Sequence, residues 1–294
     1  MVYKTVIQNK NVEYVNFWPK FNADNFLFHQ FFTRIENEIT VSGPFFKYSR
    51  KQRIRRLLNL EHKHNFFITG ENVPLNYGHA WKYIGFWRSY SDRNDVFRFP
   101  YWMWYLDYTE LKQQPDYERY GMRLSIPRLL KPISESYSEQ ELRLRLNRAI
   151  LFSGHMREPR RTLYEVVDQV LGCDIRGAAS GILKEPRKSK MATTLKYRFA
   201  LCPENSLGDG YVTEKIPEAF HSGCVPITYI QQEDLATDFN PEAVINLHGM
   251  DKKQRIAVLK EVQGGGEFYR NLISVPLLKY VPKIDSLINF IISN

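Results

Sequence analysis

Apolar and polar positions divide the chain into short β-like runs and stretches of helical period, separated by glycine- or proline-marked turns. Residues 12–18 read as an early strand stopped by Pro19, and the aromatic-rich 26–32 stretch as core. Phe66-Phe67-Ile68-Thr69 is a β-like run ending in the turn Gly70-Glu71-Asn72. Residues 149–153 predict a strand, and 162–171 a helix with Leu163, Val166, Val167 and Val170 on one face. The run 197–202, closed by Pro203, predicts a buried strand, after which Gly208 and Gly210 punctuate a loop. Thr213 is placed to cap a helix with Ile216, Ala219 and Phe220 at i, i+3 and i+4; Pro217 lies in or near its first turn, where a missing N–H costs least. Gly223 ends that helix and 225–229 supplies the next strand, which makes 197–229 one βαβ unit.

Two stretches are less clear. Ser138 and Glu141 form a capping box, yet Leu142, Leu144 and Leu146 alternate as in a strand. Residues 172–181 read as a glycine-containing turn region. Ile284, Leu287, Ile288 and Ile291 fall at helical spacing, an amphipathic tail expected to dock on the body of the protein. Gly264-Gly265-Gly266 reads as a flexible break, and no internal repeat is found. Strand and helix alternate, so the fold class is α/β, and 294 residues suffice for two domains that each bury a core.

Charge adds a partner class. With 41 basic and 32 acidic residues the net charge is +9, which favours anionic partners such as nucleotide-sugars, acidic glycolipids or a membrane surface. No recognisable nucleic-acid motif accompanies it. The basic run 47–56 is either a solvated helix face or a site for anionic lipid, and 184–190 is a short basic loop. Cys173, Cys202 and Cys224 lack metal-ligand spacing and read as buried thiols in a reducing compartment. Residues 1–13 show no signal-peptide pattern, and no apolar run approaches the roughly 20 residues that span a bilayer. The expected location is cytoplasmic, with at most peripheral association at the inner membrane face.

Candidate chemistry gathers at turns. A two-glycine loop followed by Glu214 and Lys215 puts backbone N–H groups and an ammonium at a helix start, an arrangement suited to a phosphate or pyrophosphate. His155, Arg157, Arg160 and Arg161 make a second cationic turn between strand and helix. Glu71 stands just beyond a strand end, where α/β proteins place functional groups. The cluster of residues 101–105 is either core packing or a platform for sugar faces, with Trp102 and Trp104 as the platform candidates. No Asp-x-Asp motif is present.

The string Glu204-Asn205-Ser206, followed by Tyr211-Val212-Thr213-Glu214-Lys215 and Gly223-Cys224-Val225-Pro226, resembles the donor-binding signature of the α1,3/4-fucosyltransferases, glycosyltransferase family 10. Thr69-Gly70-Glu71-Asn72, Tyr83-Ile84-Gly85-Phe86, Arg98-Phe99-Pro100, Asp238-Phe239-Asn240-Pro241 and Val244-Ile245-Asn246 extend the resemblance. It implies a GT-B architecture of two Rossmann-like domains facing a cleft. Residues 1–145 would bind the acceptor and 146–294 the donor, the C-terminal helix packing back on the first domain. The implied reaction moves L-fucose from GDP-β-L-fucose to a hydroxyl, O3 or O4 of GlcNAc, of an oligosaccharide or lipopolysaccharide-type acceptor. It proceeds with inversion and without a metal or other cofactor. The resemblance makes Glu71 the general base and gives the pyrophosphate to Arg160, four residues before Tyr164, with Arg161 and His155 left open. Lys215 would balance the leaving GDP, Glu214 and Asn205 would face the ribose and the oxocarbenium-like sugar, and Tyr211 would close over the donor. Glu71 must then face Lys215 across the cleft. Pro203 and Pro217 depart from the family pattern. A transferase for another nucleotide-sugar, or a non-catalytic basic glycan-binding module, stays compatible with the residues alone.

Overall fold

The structure is a computed structural model describing residues 6–18, 21–45, 64–75, 78, 80–108, 111, 123–181 and 190–293. The basic run 47–56 and most of the 184–190 loop lie outside these residues.

Six strands form the first sheet: β1 (Val6–Asn9), β2 (Val12–Val15), β3 (Ile39–Ser42), β4 (His64–Ile68), β5 (Ala80–Gly85) and β6 (Val96–Arg98). They lie side by side in chain order, β1 and β2 as an antiparallel hairpin and all later neighbours parallel. Both faces of β4 are covered, because successive side chains point to opposite sides. Phe66 and Ile68 enter the main core, while Phe67 joins a second cluster with Tyr83, Phe86, Trp87 and Val96. A short parallel pair, β7 (Leu106–Asp107) and β8 (Leu124–Ser125), leads out of this half.

The second sheet holds β9 (Leu146–Phe152), β10 (Cys173–Arg176), β11 (Tyr197–Leu201), β12 (Val225–Thr228) and β13 (Ile245–Asn246) in the order β10-β9-β11-β12-β13, all parallel. Its centre is fully buried, as the continuous apolar runs of a two-sided parallel sheet require: Ala149, Phe199, Val225 and Ile227 exclude water. The chain runs from β9 outward to β10, then returns past β9 to β11. At such a reversal the loops leave in opposite directions and open a crevice beyond the carboxyl ends of the strands.

Several expectations change here. The 172–181 region is a strand, β10, followed by a short 3-10 turn rather than a turn throughout; Cys173, polar neighbours and all, pairs in register with Ala149 of β9. The ambiguous 138–146 stretch resolves as a helix, Glu139–Arg143, whose capping box is complete. Leu142 is buried whereas Leu144 and Leu146 are exposed, so the alternation had no buried face to serve. The tail forms the helix Asp285–Ile292, which returns to the first half. Ile284, Leu287 and Ile291 are buried, the Phe290 ring lies 5.3 Å from Phe97, and Lys82 Nζ donates to Phe290 O at 2.7 Å.

Carboxyl ends of the two sheets meet. Asn72 Nδ2, after β4, donates to Ser206 Oγ at 2.6 Å and Leu207 O at 3.0 Å. After β5, Arg88 Nε reaches Asp234 Oδ1 at 2.8 Å, and the Ser89 N–H donates to Asp209. At the end of β6, Arg98 makes a bidentate pair with Asp238, both bonds 2.8 Å. Asp234 and Asp238 lie four residues apart on the helix Gln232–Asp238, so one helix face receives both arginines.

Candidate active site

Arg160 opens the helix Arg160–Leu171, in the connection that leaves β9. Its guanidinium is buried and aimed back at the strand ends: Nη1 donates to Ser153 Oγ at 2.9 Å and His155 O at 3.0 Å, and Nη2 to Asn205 Oδ1 at 2.7 Å. Asn205 follows β11. The Arg160–Asn205 bond therefore bridges the carboxyl ends of β9 and β11, at the point where the strand order reverses. Arg161 points elsewhere, donating to Met156 O, so the structure separates the two arginines that the sequence left open. His155 sits against Arg160, and burial followed by the charges of Arg160 and Arg157 lowers its pKa.

Glu204, named in the sequence only as part of the Glu204-Asn205-Ser206 string and given no role there, organises this loop. Its buried carboxylate accepts from the Thr213 N–H at 2.8 Å, from Thr213 Oγ1, and from Lys215 Nζ at 2.6 Å. Thr213 thus does not cap the helix Lys215–His221; Glu214 holds the cap position without a side-chain capping bond. Burial lowers the pKa of Arg160 and the charge of Glu204 opposes that effect, while Lys215 is the cation that Glu204 bonds directly. In the sequence the acid shows only as the first residue of the Glu204-Asn205-Ser206 string, with nothing to mark its partners.

The two glycines of this loop have a steric purpose beyond punctuation. A Cβ on Gly208 would lie 2.4 Å from Asn72 Oδ1, and one on Gly210, at φ +75°, 2.3 Å from Phe86 O. Glycine lets the loop touch the first half. Tyr211 follows, buried at 5.1 Å from the Phe86 ring inside the cluster of the first sheet; its ring is packed there and does not lie open over the crevice, contrary to the expectation of a lid. Burial raises the pKa of its hydroxyl, and the charges of Glu204, Glu71 and Glu214 raise it further. Glu214 itself is buried at the helix start.

Glu71 lies at the carboxyl end of β4, in a turn fixed by Thr69: the Glu71 N–H donates to Thr69 Oγ1, and that hydroxyl donates to Glu71 O. Its side chain is half-buried, and Oε1 accepts from Trp18 Nε1 at 3.1 Å. Its neighbour Asn72 is bonded to Ser206, itself next to Asn205, which ties the turn to the other sheet.

Trp102 and Trp104 are corrected. Trp102 is 2% and Trp104 4% exposed, the former packed on Phe239 and the latter among Trp18, Phe26, Phe28 and Tyr101. Neither presents a face to a sugar. Among the described residues no group of three or more His, Cys, Asp and Glu side chains is arranged to hold a metal. No helix among them is long and apolar enough to cross a membrane.

Comparison with known proteins agrees with this geometry. The model of the glycosyltransferase family 10 (fucosyltransferase) C-terminal domain matches residues 147–273, the half that contains Arg160, Asn205 and Lys215. The chain is similar to the alpha-(1,3)-fucosyltransferase FucT of Helicobacter pylori, 28% identical over 207 residues, 66% of this chain and 43% of that protein. The chain thus spans less than half the length of that relative. Among solved structures, an alpha1,3-fucosyltransferase superposes with a TM-score of 0.68 at 19% identity, over 96% of this chain and 89% of that one. An alpha1,3-fucosyltransferase with GDP-fucose gives 0.60 at 16% identity, over 92% and 97%. Residues 147–273 thus match the C-terminal domain of glycosyltransferase family 10, and the chain shares along its length the GT-B fold of the fucosyltransferase structures.

Proposed function

We propose that this protein transfers L-fucose from GDP-β-L-fucose to a hydroxyl of a glycan acceptor, O3 or O4 of a GlcNAc unit in an oligosaccharide or lipopolysaccharide-type chain, with inversion at the anomeric carbon. Residues 146–294 bind the donor and 1–145 the acceptor. The observation that carries the reading is the Arg160–Asn205 bond at the β9/β11 reversal, inside the stretch matched by the family. The relative named as a fucosyltransferase and the solved structure with GDP-fucose support the choice of donor.

In this mechanism the Glu71 carboxylate takes the proton of the acceptor hydroxyl as its oxygen attacks C1 of fucose from the face opposite GDP. The C1–O bond breaks and its electron pair leaves on the β-phosphate oxygen. Arg160, held by Ser153, His155 and Asn205 in the free protein, and Lys215, held by Glu204, meet the charge that develops there. Glu214 and Asn205 serve the oxocarbenium-like sugar and the ribose.

The test is GDP release from GDP-fucose, with and without N-acetyllactosamine-type acceptors, in EDTA, for wild type and Glu71→Ala. Acceptor-stimulated release that survives EDTA and falls by about 10²–10⁴-fold in the variant supports the reading. Absence of GDP-fucose binding by the wild type overturns it.

A further inference from the structure

We infer that Trp18 is a positioning residue for Glu71: its indole N–H holds one carboxylate oxygen so that the other is presented to the acceptor hydroxyl. The inference rests on the proposed role of Glu71 as base and adds the group that aims it.

Three adjacent parallel strands, β2, β3 and β4, end on the same edge of the first sheet. Just past those ends stand Trp18, Phe45 and Glu71. The chain reaches Trp18 through Asn16, a non-glycine residue at φ +59° and buried. That left-handed turn is held from β3: the Phe45 N–H donates to Asn16 O at 3.2 Å, and a Cβ on Gly43 would lie 2.8 Å from the same oxygen. Strained backbone persists only where its surroundings fix it, and here it swings the indole across the strand ends.

The indole is then braced by rings. Phe17 lies 5.6 Å away, Phe45 5.7 Å and Trp104 6.0 Å, all edge-on. Trp104, which the sequence left open between core packing and a sugar platform, is a buttress beneath Trp18. Within this cage the Trp18 N–H meets Glu71 Oε1 at 3.1 Å. Indole nitrogen only donates, so it binds one carboxylate oxygen and cannot take the proton that Glu71 accepts. A general base must be fixed in direction as well as in distance, and a single donor on one oxygen supplies that without blocking the other.

Two measurements test this. In the wild type, the Trp18 indole ¹H–¹⁵N resonance, assigned through its bonded and NOE connectivities, is expected downfield and slow to exchange with water; Glu71→Gln shifts it and Glu71→Ala speeds its exchange. An indole signal indifferent to both substitutions overturns the bond, with no substrate involved. In steady-state transfer, Trp18→Phe keeps an aromatic ring and removes the donor; kcat is expected to fall about ten- to a hundredfold while the KM for GDP-fucose stays within about twofold. Unchanged kcat overturns the positioning role, and so does a loss confined to donor KM. Should Trp18→Phe fail to fold, the indole measurement on wild type and the Glu71 variants still decides. Failure of the fucosyl reading itself shows separately, as wild-type protein that does not bind GDP-fucose.

Discussion

Apart from the antiparallel β1–β2 hairpin both sheets are parallel, and they differ in strand order, which decides how each half can form a site. In the second sheet the order β10-β9-β11 reverses the winding, so a crevice opens within the half itself and Arg160 and Asn205 meet across it. The first sheet is wound in chain order without a reversal and has no such crevice. Its functional groups stand along the carboxyl edge and become a site by facing the other half. One half offers a candidate site by topology, the other by apposition. The family model, which covers 147–273, stops within the half whose site is self-contained.

Variants that separate or preserve the apposition sharpen this contrast. The largest expected effect on the fold comes from Arg98→Ala, which leaves the buried Asp238 without its bidentate partner. Breaking such a pair costs about 3–5 kcal/mol, read by urea denaturation. A loss under about 1 kcal/mol would mean that the halves do not depend on this contact. Next, Arg160→Ala removes the bridge at the reversal and lowers GDP-fucose turnover by about 10²–10³-fold, while Arg161→Ala, whose side chain is exposed and turned to Met156 O, leaves it within about twofold. Equal effects from both would put the crevice elsewhere.

His221 gives a pH test inside the second half. Burial, with Arg128 adding, pushes its pKa down to about 4, so it is neutral in the fold. An unfolded histidine titrates near 6.5, so below that pH the unfolded chain binds a proton that the folded one refuses. Stability therefore falls as pH drops from about 6.5 to about 4, by up to roughly 3 kcal/mol from this group. His221→Gln flattens that part of the profile in denaturation curves taken at several pH values; an unchanged slope would assign it to other groups. The smallest effect belongs to the exposed Glu139–Arg143 pair, where Arg143→Ala changes stability by less than about 0.5 kcal/mol.

Local signals made much of the second half legible. The run 197–229 is a strand, a glycine loop, a helix and a strand whose cues all lie within one stretch, and Glu204, Asn205, Tyr211, Glu214 and Lys215 fall inside it. A fully buried parallel strand is a plain apolar run, and β11 and β12 read as such. β10 did not, because Cys173-Asp174-Ile175-Arg176 carries two charged side chains that only its place at the sheet edge permits: Arg148 and Tyr197 both bond Asp174. In the first half Glu71 was singled out by the resemblance of its turn, Trp18 looked like the end of a strand, and Trp102 and Trp104 stood open between core packing and a sugar platform.

What the sequence determined by itself is the alternation of strands and helices, the apolar faces and the donor motif, because periodicity, caps and glycine positions act over a few residues. The tertiary structure alone decided strand order, the turning of Arg160 to Asn205 and of Arg161 to Met156, the capture of Lys215 by Glu204, and the meeting of Trp18 with Glu71. Each of these joins groups distant in sequence or selects among equivalent side chains, and no local pattern of residue types specifies which strand ends, and which charges, will be neighbours once the sheets have formed.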